Sequence, residues 1–473
     1  MIGLVLLAAA SPQDWGEVKD PLVRSQEMLE EAESLASKSK YTAAWNKYRN
    51  IIRRYGDTPA GAVAQRRAGG TNGWLGWADL LRHGPSSNRV DVVVLGDGYE
   101  LTKQESLDRY AKYVPDLFER HRVFGEYFEY HNFLRGNVFS GESGIDGNGR
   151  DFDTALGATN SNPRHGGHAS VDRGRVMAML DEMPEHDGLA IVFVRGTAPG
   201  TGGGGVATIA GRPESDTLIH EWGHAFGGLG DEYSDDVGYT GDPRQSVNVS
   251  TSEDPAQAPW RHWIEAGVKG VGVHQGAAGR AKGAYKPTVK GCAMQNGRDF
   301  CVVCREALVL RIYSRVDPID DCVPAAQPLD RSAEEGDGPL HAASPLEFEV
   351  WTMQPDRHHL GVRWWVLAPD AVPADPVSRN RRYPPGDRGR RGPLRPIEAE
   401  PLDETRPNVR GRHRFRFDPE EWEPGLYRVV ARARDDTVVP GDKHPWVLKD
   451  EEGLLESERA WWVQVPERGE GGP

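Results

Sequence analysis

The stretch that most constrains this chain is HEWGHAFGGLGDEY, residues His220 to Tyr233. His220 and His224 are four residues apart, so on a helix their imidazoles share one face and can bind the same Zn²⁺. Glu221 lies beside them, and its carboxylate is suited to taking a proton from a metal-activated water and passing it to a leaving amine. The motif predicts a zinc-binding helix that carries its own general base.

The residues around the motif support a helix that ends soon after His224. Asp216 favours the helix start, and Trp222 and Phe226 give apolar faces for burial. Gly227 and Gly228 end the helix where the chain must turn back toward the metal. In many such sites a third ligand follows at a fixed offset, which here falls on Gly230. The third ligand must therefore come from elsewhere, and acidic residues follow immediately.

The glycine-rich stretch GTGGGGVATIAG precedes the motif and has two interpretations. It can form a strand at a sheet edge, where an extended peptide would pair with it across the metal. It can equally be a flexible loop. The sequence leaves these two interpretations open.

The chain of 473 residues is long enough for two to four domains. Residues 20–70 have helical spacing and resemble one tetratricopeptide-like hairpin, with a turn at Gly56 to Pro59. Strands are predicted at VDVVVLGDGY, NFLRGNVFSG and GLAIVFVRG, and LTKQESLDRYAKYVPDLF is predicted to be a helix. Residues 87–325 are therefore expected to form an α+β domain with a mixed sheet that carries the motif.

Residues 338–467 are expected to form a β-sandwich of immunoglobulin-like type. Short strand patterns at LEFEVWTM, GVRWWVL, RHRFRFD, GLYRVVARARD and ERAWWVQV are divided by Pro, Gly and Asp turns. Between two of them lies the basic insertion SRNRRYPPGDRGRRGPLRP, which contains Arg379 and Arg391. We interpret it as a solvated loop rather than a polyanion site.

Four cysteines, Cys292, Cys301, Cys304 and Cys322, lie within one short region. Two disulfides would suit an exported protein, whereas a tetrathiolate zinc site would suit a cytosolic one. No thioredoxin-like βαβ pattern surrounds Cys301 and Cys304, which disfavours a redox pair. Structural disulfides are the favoured expectation.

The beginning of the chain, MIGLVLLAAASPQDW, predicts export to the periplasm, the cell surface or the medium. Residues 1–10 are read as a signal-peptide remnant, with small residues at Ala8 to Ala10, although a basic segment is missing and an apolar stub is the alternative. No later stretch approaches the roughly 20 apolar residues that span a bilayer. The net charge of −14 argues against nucleic acid as a partner, because phosphate binding needs clustered positive charge.

Five stretches resemble the IgA peptidase family of zinc metallopeptidases, within the metzincin-like zincins. They span roughly residues 89–313 and are LGDGY (Leu95 to Tyr99), SGESG (Ser140 to Gly144), HEWGHAFGGLGDEY, GVHQGAAGRAKGAYKP (Gly272 to Pro287) and GCAMQNGRDFCVVCREAL (Gly291 to Leu308). The DEY ending and the CAM segment are far more specific than HExxH. This resemblance implies peptidase chemistry but not a particular substrate, so cleavage of immunoglobulin A is not predicted.

The resemblance implies one catalytic zinc ion held by His220, His224 and an acidic residue of the DEY segment, with Glu221 as base. Asp231 is the preferred third ligand, because the glycines before it allow the close approach that a short carboxylate needs. Glu232 is the alternative ligand, or a partner that orients a histidine. By the same resemblance, Met294 corresponds to the methionine of the turn beneath the metal.

Tyr233 has two interpretations, as a hydrogen-bond donor to the oxyanion and as a packing residue. The function expected overall is a zinc-dependent endopeptidase that acts on protein or peptide substrates. The alternative is a surface-binding or scaffolding protein whose zinc is only structural. A structural site has four protein ligands, which Asp231 and Glu232 together would complete.

Overall fold

The computed structural model describes residues 20–161, 167–212, 215–234, 242–327, 338–369, 371, 393–405 and 411–467. The predicted signal-peptide remnant at residues 1–10 lies outside the described residues. The same holds for most of the basic insertion, including Arg379 and Arg391. Among the described residues, no helix combines the length and apolar character needed to cross a membrane.

Three helices open the described chain: α1 (Pro21–Ser37), α2 (Tyr41–Tyr55) and α3 (Pro59–Ala68). The side chain of Thr58 caps α3 by accepting a hydrogen bond from the Gly61 amide. The predicted hairpin corresponds to α2 and α3, and α1 packs beside them. Their shared core includes Leu75 and Phe139 of the following sheet, so the helices are fixed to the next domain. The likeness to a tetratricopeptide unit stays a prediction.

In the part of the chain that the structure describes, six further α-helices and ten strands follow as far as Tyr313. The helices are α4 (Gln104–Arg120), α5 (Arg122–Glu126), α6 (Arg173–Leu180), α7 (Ser215–Ala225), α8 (Arg261–Glu265) and α9 (Val302–Tyr313). The strands are β1 (Gly73–Leu81), β2 (Val90–Asp97), β3 (His131–Phe139), β4 (Thr159–Ser161), β5 (His168–Ser170), β6 (Ala190–Val194), β7 (Thr201–Gly203), β8 (Val206–Ala210), β9 (His274–Ala277) and β10 (Arg280–Lys286). The strands predicted at β2, β3 and β6 and the helix predicted at α4 are confirmed.

The largest sheet is mixed and has six strands in the order β1-β3-β2-β6-β8-β7. Its four central strands are parallel, and β1 and β7 are antiparallel edges. Residues of β2 are buried on both faces, which explains the continuous apolar run VDVVVL. The sheet begins at Gly73, not at the predicted domain boundary of residue 87, because β1 pairs with β3 before the chain reaches β2.

The two faces of this sheet pack against separate cores. On one face, Val92 and Val94 pack with α4 and with Trp222 of α7. On the other face, Val93 and Leu95 of the same strand pack with α6. Alternate residues of one strand thus contribute to both layers, as expected for a sheet covered on both sides.

The described residues of the C-terminal region form two sheets. Their strands are β11 (Ile319–Val323), β12 (Leu340–His341), β13 (Leu346–Thr352), β14 (Gly361–Leu367), β15 (Asp403–Thr405), β16 (Arg412–Phe417), β17 (Gly425–Arg434) and β18 (Glu456–Val465). One sheet has the order β11-β13-β16, and the other has the order β12-β18-β17-β14-β15. Phe348 from the first sheet and Trp364 and Trp461 from the second share one core. The immunoglobulin-like topology stays a prediction, and the region begins at β11 rather than at residue 338.

A buried ion-pair network joins the C-terminal region to the domain of the large sheet. His358 Nδ1 lies 2.7 Å from Glu126 Oε1, and its Nε2 lies 2.8 Å from Asp435 Oδ1. Burial lowers the pKa of His358, but the two carboxylates outweigh it and raise that pKa to about 9. The imidazolium therefore connects the two regions through charge-assisted hydrogen bonds.

Candidate active site

The helix α7 lies directly against the glycine-rich strands of the large sheet. A Cβ on Gly202 would lie 2.1 Å from the Glu221 carbonyl oxygen and 2.8 Å from the His224 Cβ. Only glycine permits β7 to approach the helix so closely. The glycine-rich stretch is therefore ordered as β7 and β8, and its interpretation as a flexible loop is wrong.

The free side of β7 is partly covered by β5. The Ala169 amide donates to the Pro199 carbonyl at 2.7 Å, and Thr201 Oγ1 donates to the Ala169 carbonyl at 2.8 Å. A substrate strand that paired with β7 would have to extend beyond these contacts. Pairing of substrate with this edge stays a prediction.

Three predicted metal ligands converge beside α7. The Nε2 atoms of His220 and His224 are 3.1 Å apart, and Asp231 Oδ1 lies 3.2 Å and 3.1 Å from them. For metal–nitrogen bonds of about 2.05 Å, a tetrahedral site spaces its ligand atoms about 3.3 Å apart. The observed separations fit three corners of such a tetrahedron.

Hydrogen bonds on the far side of each imidazole fix its tautomer. His220 Nδ1 lies 2.8 Å from the Ala293 carbonyl, and His224 Nδ1 lies 2.6 Å from the Leu229 carbonyl. A carbonyl oxygen only accepts hydrogen bonds, so each Nδ1 carries a proton and each ring turns its Nε2 toward Asp231. This orientation leaves the Nε2 atom of each ring as the one that could bind a metal beside Asp231.

The turn after the helix brings Asp231 back to the histidines. Gly228 has a φ of +63°, a left-handed conformation that glycine adopts without strain. The side chain of Asn248 then pairs with Gly230 on both sides, since the Gly230 amide donates to Oδ1 and Nδ2 donates to the Gly230 carbonyl, each at 2.8 Å. Sequence reasoning missed Asn248, because no motif marks an amide 18 residues away from its partner.

Glu221 lies beside the convergence point with its side chain largely removed from water. Its residue is 8% exposed, and burial raises the pKa of its carboxyl group above the usual value. Glu221 and His220 line one wall of a cleft, and Gly200, Ile209 and Gln295 form other parts of it. A base that is partly desolvated and open to a cleft can exchange a proton with a bound substrate.

Met294 packs beneath the motif helix. Its side chain is fully buried, and a Cβ on Gly223 would lie 2.6 Å from its sulfur. Gly223 stands between the two histidines in sequence, so the methionine lies against the helix turn that carries them. The Met294 carbonyl also accepts a hydrogen bond from the Glu232 amide at 2.7 Å. Met294 thus contacts both sequence segments that carry the predicted ligands.

Tyr233 follows the acidic pair and stacks beside a predicted ligand. Its ring centroid lies 6.2 Å from that of His220, with 27° between the planes. Backbone amides of the β9–β10 turn hold this segment, since Ala278 donates to the Asp231 carbonyl at 2.8 Å and Gly279 donates to the Tyr233 carbonyl at 3.0 Å. Both the packing role and the oxyanion role stay predictions.

Glu232 is turned away from the histidines and lies among cysteines. Its Oε1 lies 3.0 Å from Cys304 Sγ and 3.7 Å from Cys301 Sγ. Burial, with the charge of Cys301 as the next cause, raises the pKa of Glu232 to about 8. The alternative role for Glu232 as a ligand beside His220 and His224 therefore has no geometric support.

The expectation of disulfides is wrong in this structure, where all four cysteines are free. Cys292 Sγ and Cys304 Sγ are 3.7 Å apart, which is beyond the S–S bond length of about 2.05 Å. A tetrathiolate site is not formed either, because the fourth member of the cluster is Glu232 and not Cys322. Cysteine spacing alone could not reveal that the carboxylate of Glu232, about 60 residues upstream, joins the cluster.

The LGDGY and SGESG stretches meet at the carboxyl end of β2. Buried Asp97 accepts hydrogen bonds from Ser140 Oγ at 3.0 Å and from the Leu156 and Ala158 amides at 2.9 and 2.8 Å. Gly98 has a φ of +71°, and a Cβ there would lie 2.2 Å from the Gly144 carbonyl oxygen. These residues organise a loop rather than the metal ligands.

A family model described as IgA peptidase M64 matches residues 78–269. The resemblance to the IgA peptidase family is confirmed. The match contains His220, Glu221, His224 and Asp231, and it ends before Cys292. This match supports a peptidase, which is a hydrolase of peptide bonds, and suggests a bound metal, typically zinc. The search of curated proteins found no match to the chain.

Proposed function

We propose that the protein is a zinc-dependent endopeptidase with its active site at α7. The observation that carries the proposal is the convergence of His220 Nε2, His224 Nε2 and Asp231 Oδ1 within 3.2 Å of one another. The zincin-like layout is part of the proposal. It is supported by a mixed sheet whose β8–β7 edge packs against the motif helix.

The donor set fits zinc. Two neutral imidazoles and one carboxylate are typical of catalytic zinc sites, which keep a fourth position for water or substrate. The side chains of His220, His224 and Asp231 are 17%, 16% and 21% exposed, so this group of ligands is accessible from solvent. When bound, zinc supplies a Lewis acid that polarises a carbonyl and lowers the pKa of water.

Glu221 is proposed to move the proton during hydrolysis. Its carboxylate would take a proton from the attacking water and then donate it to the leaving amine. Burial raises the pKa of Glu221, which strengthens the carboxylate as a base and makes its protonated form a usable acid. Tyr233, which stacks on His220, is proposed to lie close enough to the site to assist the developing oxyanion.

An endopeptidase needs room for substrate on both sides of the scissile bond. Glu221 and His220 line one cleft, and His224 lies at the margin of a second cleft that includes Gly204, Val247 and Trp260. These two openings support a polypeptide that passes across the site rather than one that ends there. Protein or peptide is therefore the proposed substrate, and export is proposed from the N-terminal sequence alone.

The alternative of a scaffolding protein with a structural zinc required Asp231 and Glu232 to close the site together. Glu232 instead lies with Cys301 and Cys304. The three remaining ligands do not close a tetrahedral site, which favours the catalytic interpretation.

The test is hydrolysis of an unfolded protein by the full chain and by Glu221→Gln. We expect the wild type to cleave internal bonds and the variant to lose activity by about 10²- to 10⁴-fold, because the base is removed while the ligands remain. Zinc content should be unchanged in the variant. Full activity of Glu221→Gln would overturn the mechanism, and loss of zinc together with activity would assign Glu221 to metal binding instead.

A further inference from the structure

We propose that Glu232, Cys292, Cys301 and Cys304 bind a second zinc ion that is structural. One ligand atom from each of these residues lies within 4.8 Å of the others. Glu232, Cys292 and Cys304 are buried, and Cys301 is partly buried. Structural zinc sites typically have four protein ligands that surround the metal in a tetrahedral arrangement.

The sulfur spacing matches a shared metal. Zinc–sulfur bonds of about 2.3 Å place two sulfur ligands about 3.8 Å apart in a tetrahedral site. Cys292 Sγ and Cys304 Sγ are separated by 3.7 Å. The thiols are thus spaced for a bridging ion and not for a disulfide.

The carboxylate of Glu232 supplies an independent observation. The residue is 0% exposed, and its Oε2 has no hydrogen-bond partner among the described residues. Its Oε1 contacts Cys304 and also accepts from Asn248 Nδ2 at 3.0 Å. A buried carboxylate oxygen without a donor is costly unless a cation compensates it.

The local backbone is also arranged to hold thiolates. Cys301 is the N-cap residue of α9 and Cys304 lies in its first turn, where the helix dipole favours negative charge. The Cys301 amide donates to Cys292 Sγ at 3.4 Å. Lys286 Nζ, which donates to the Glu232 carbonyl at 2.5 Å, brings a positive charge to a cluster that otherwise has excess negative charge.

The second ion would link the two chain segments that position Asp231 and His220 in the proposed catalytic site. Glu232 is the neighbour of Asp231, and Cys292 is the neighbour of Ala293, whose carbonyl orients His220. Binding at the cysteines would therefore fix both Asp231 and an imidazole partner. This role is distinct from peptide hydrolysis and does not depend on it.

The test is metal analysis of the purified full chain together with its cobalt(II)-substituted form. We expect two zinc ions per chain, and thiolate-to-cobalt charge-transfer absorption in the near ultraviolet. A His220→Ala/His224→Ala variant, which lacks two ligands of the first site, should keep one zinc and the full thiolate absorption. Because these readouts do not use activity, failure here is distinguishable from failure of the proposed peptidase function.

Matched variants assign the second ion. Cys301→Ser, in the variant lacking His220 and His224, should lose the remaining zinc and the thiolate absorption, while Cys322→Ser in the same background should lose neither. Counting thiols after denaturation and chelation tests the disulfide alternative on unmutated protein, where four free thiols are expected. Two free thiols, or a cobalt spectrum without thiolate absorption, would overturn the proposal.

Discussion

The His–Asp cluster and the Cys–Glu cluster differ in burial, in ligand chemistry and in ligand number. The first has two imidazoles and a carboxylate, all partly exposed, and His220 lines a cleft. The second has three thiols and a carboxylate, mostly buried. An open set of three ligands suits catalysis, and a closed set of four suits structure.

The carboxylates of the two clusters come from neighbouring residues in the sequence. Asp231 Oδ1 lies 3.1 Å from His224 Nε2, while Glu232 Oε1 lies 3.0 Å from Cys304 Sγ. Successive side chains of an extended segment point to opposite sides, so one short segment can supply a ligand to each cluster. The DEY sequence thus contributes one carboxylate to each cluster.

The largest loss of bound zinc is expected when Asp231 and Glu232 are replaced, each in a separate variant. Asp231→Ala should lower zinc affinity at the histidines by more than the roughly 10- to 100-fold typical of ligand partners, and should abolish hydrolysis, because a ligand itself is lost. Glu232→Ala should instead release the zinc of the cysteine cluster. Zinc stoichiometry with cobalt spectra measures both. Full metal retention in Asp231→Ala would refute its assignment as a ligand.

Zinc binding and the stability contributed by His358 are expected to depend on pH in opposite ways. Zinc binding weakens as pH falls, because protons compete for the ligands. The stabilisation of the fold by His358 weakens instead as pH rises. Its folded pKa is raised to about 9, so its stabilisation is complete below about pH 6.5 and is lost as pH rises through about 9. The expected loss in the free energy of unfolding is on the order of 3 kcal/mol.

The groups around His358 make that prediction specific. Glu126 and Asp435 bind its two nitrogens, Arg357 pairs with Glu126, and the hydroxyl groups of Tyr127 and Tyr313 donate to Asp435. Denaturant unfolding between pH 6 and pH 10 measures the effect. His358→Gln should remove the alkaline part of the pH dependence. A variant that keeps the wild-type profile would assign it to other groups.

The cysteine cluster should influence the catalytic site at a distance. Cys304→Ser is expected to weaken zinc binding at His220 and His224 by about 10- to 100-fold, because Asp231 and Ala293 lose their shared support. Zinc titration against a chelator measures this effect. Cys322→Ser is the control and should leave the affinity unchanged. Equal affinities in the wild type and Cys304→Ser would show that the two clusters act independently.

The smallest effect, a small loss of folding stability, is expected at Gly228 in the turn between α7 and Asp231. Gly228 has a positive φ and open space around its Cα, so Gly228→Ala adds backbone strain without a clash. We expect a loss of about 1 kcal/mol in unfolding free energy, and less in Gly228→Asn, since asparagine tolerates this conformation better. Thermal or denaturant unfolding measures both variants. Equal stability of Gly228→Ala and the wild type would show that the turn relaxes.

Much of the fold around the site could be predicted from the sequence. The apolar run of β2 and the amphipathic spacing of α4 reflect local periodicity, and both elements occur where expected. The glycines after His224 likewise marked the end of α7. The position of β1 was missed, because its pairing with β3 joins residues about 60 positions apart.

The candidate site was predictable to the extent that it is local. His220, Glu221 and His224 follow from helical spacing, and the resemblance added Asp231 and Met294. The cysteine spacing favours disulfides, which the structure does not contain among its cysteines, because spacing along the chain does not show that Glu232 lies in their cluster. Asn248 was missed for the same reason. Contacts that depend on chain folding over long separations have no local sequence signal.

Anomalous scattering at the zinc edge, from crystals of the full chain, tests the contrast between the two clusters most directly. Two peaks are expected. One lies between His220, His224 and Asp231 with a coordination position open to the cleft, and the other lies within the closed group of Glu232, Cys292, Cys301 and Cys304. A single peak at the cysteines, or a histidine site closed by a fourth protein ligand, would contradict a catalytic zinc ion at His220, His224 and Asp231.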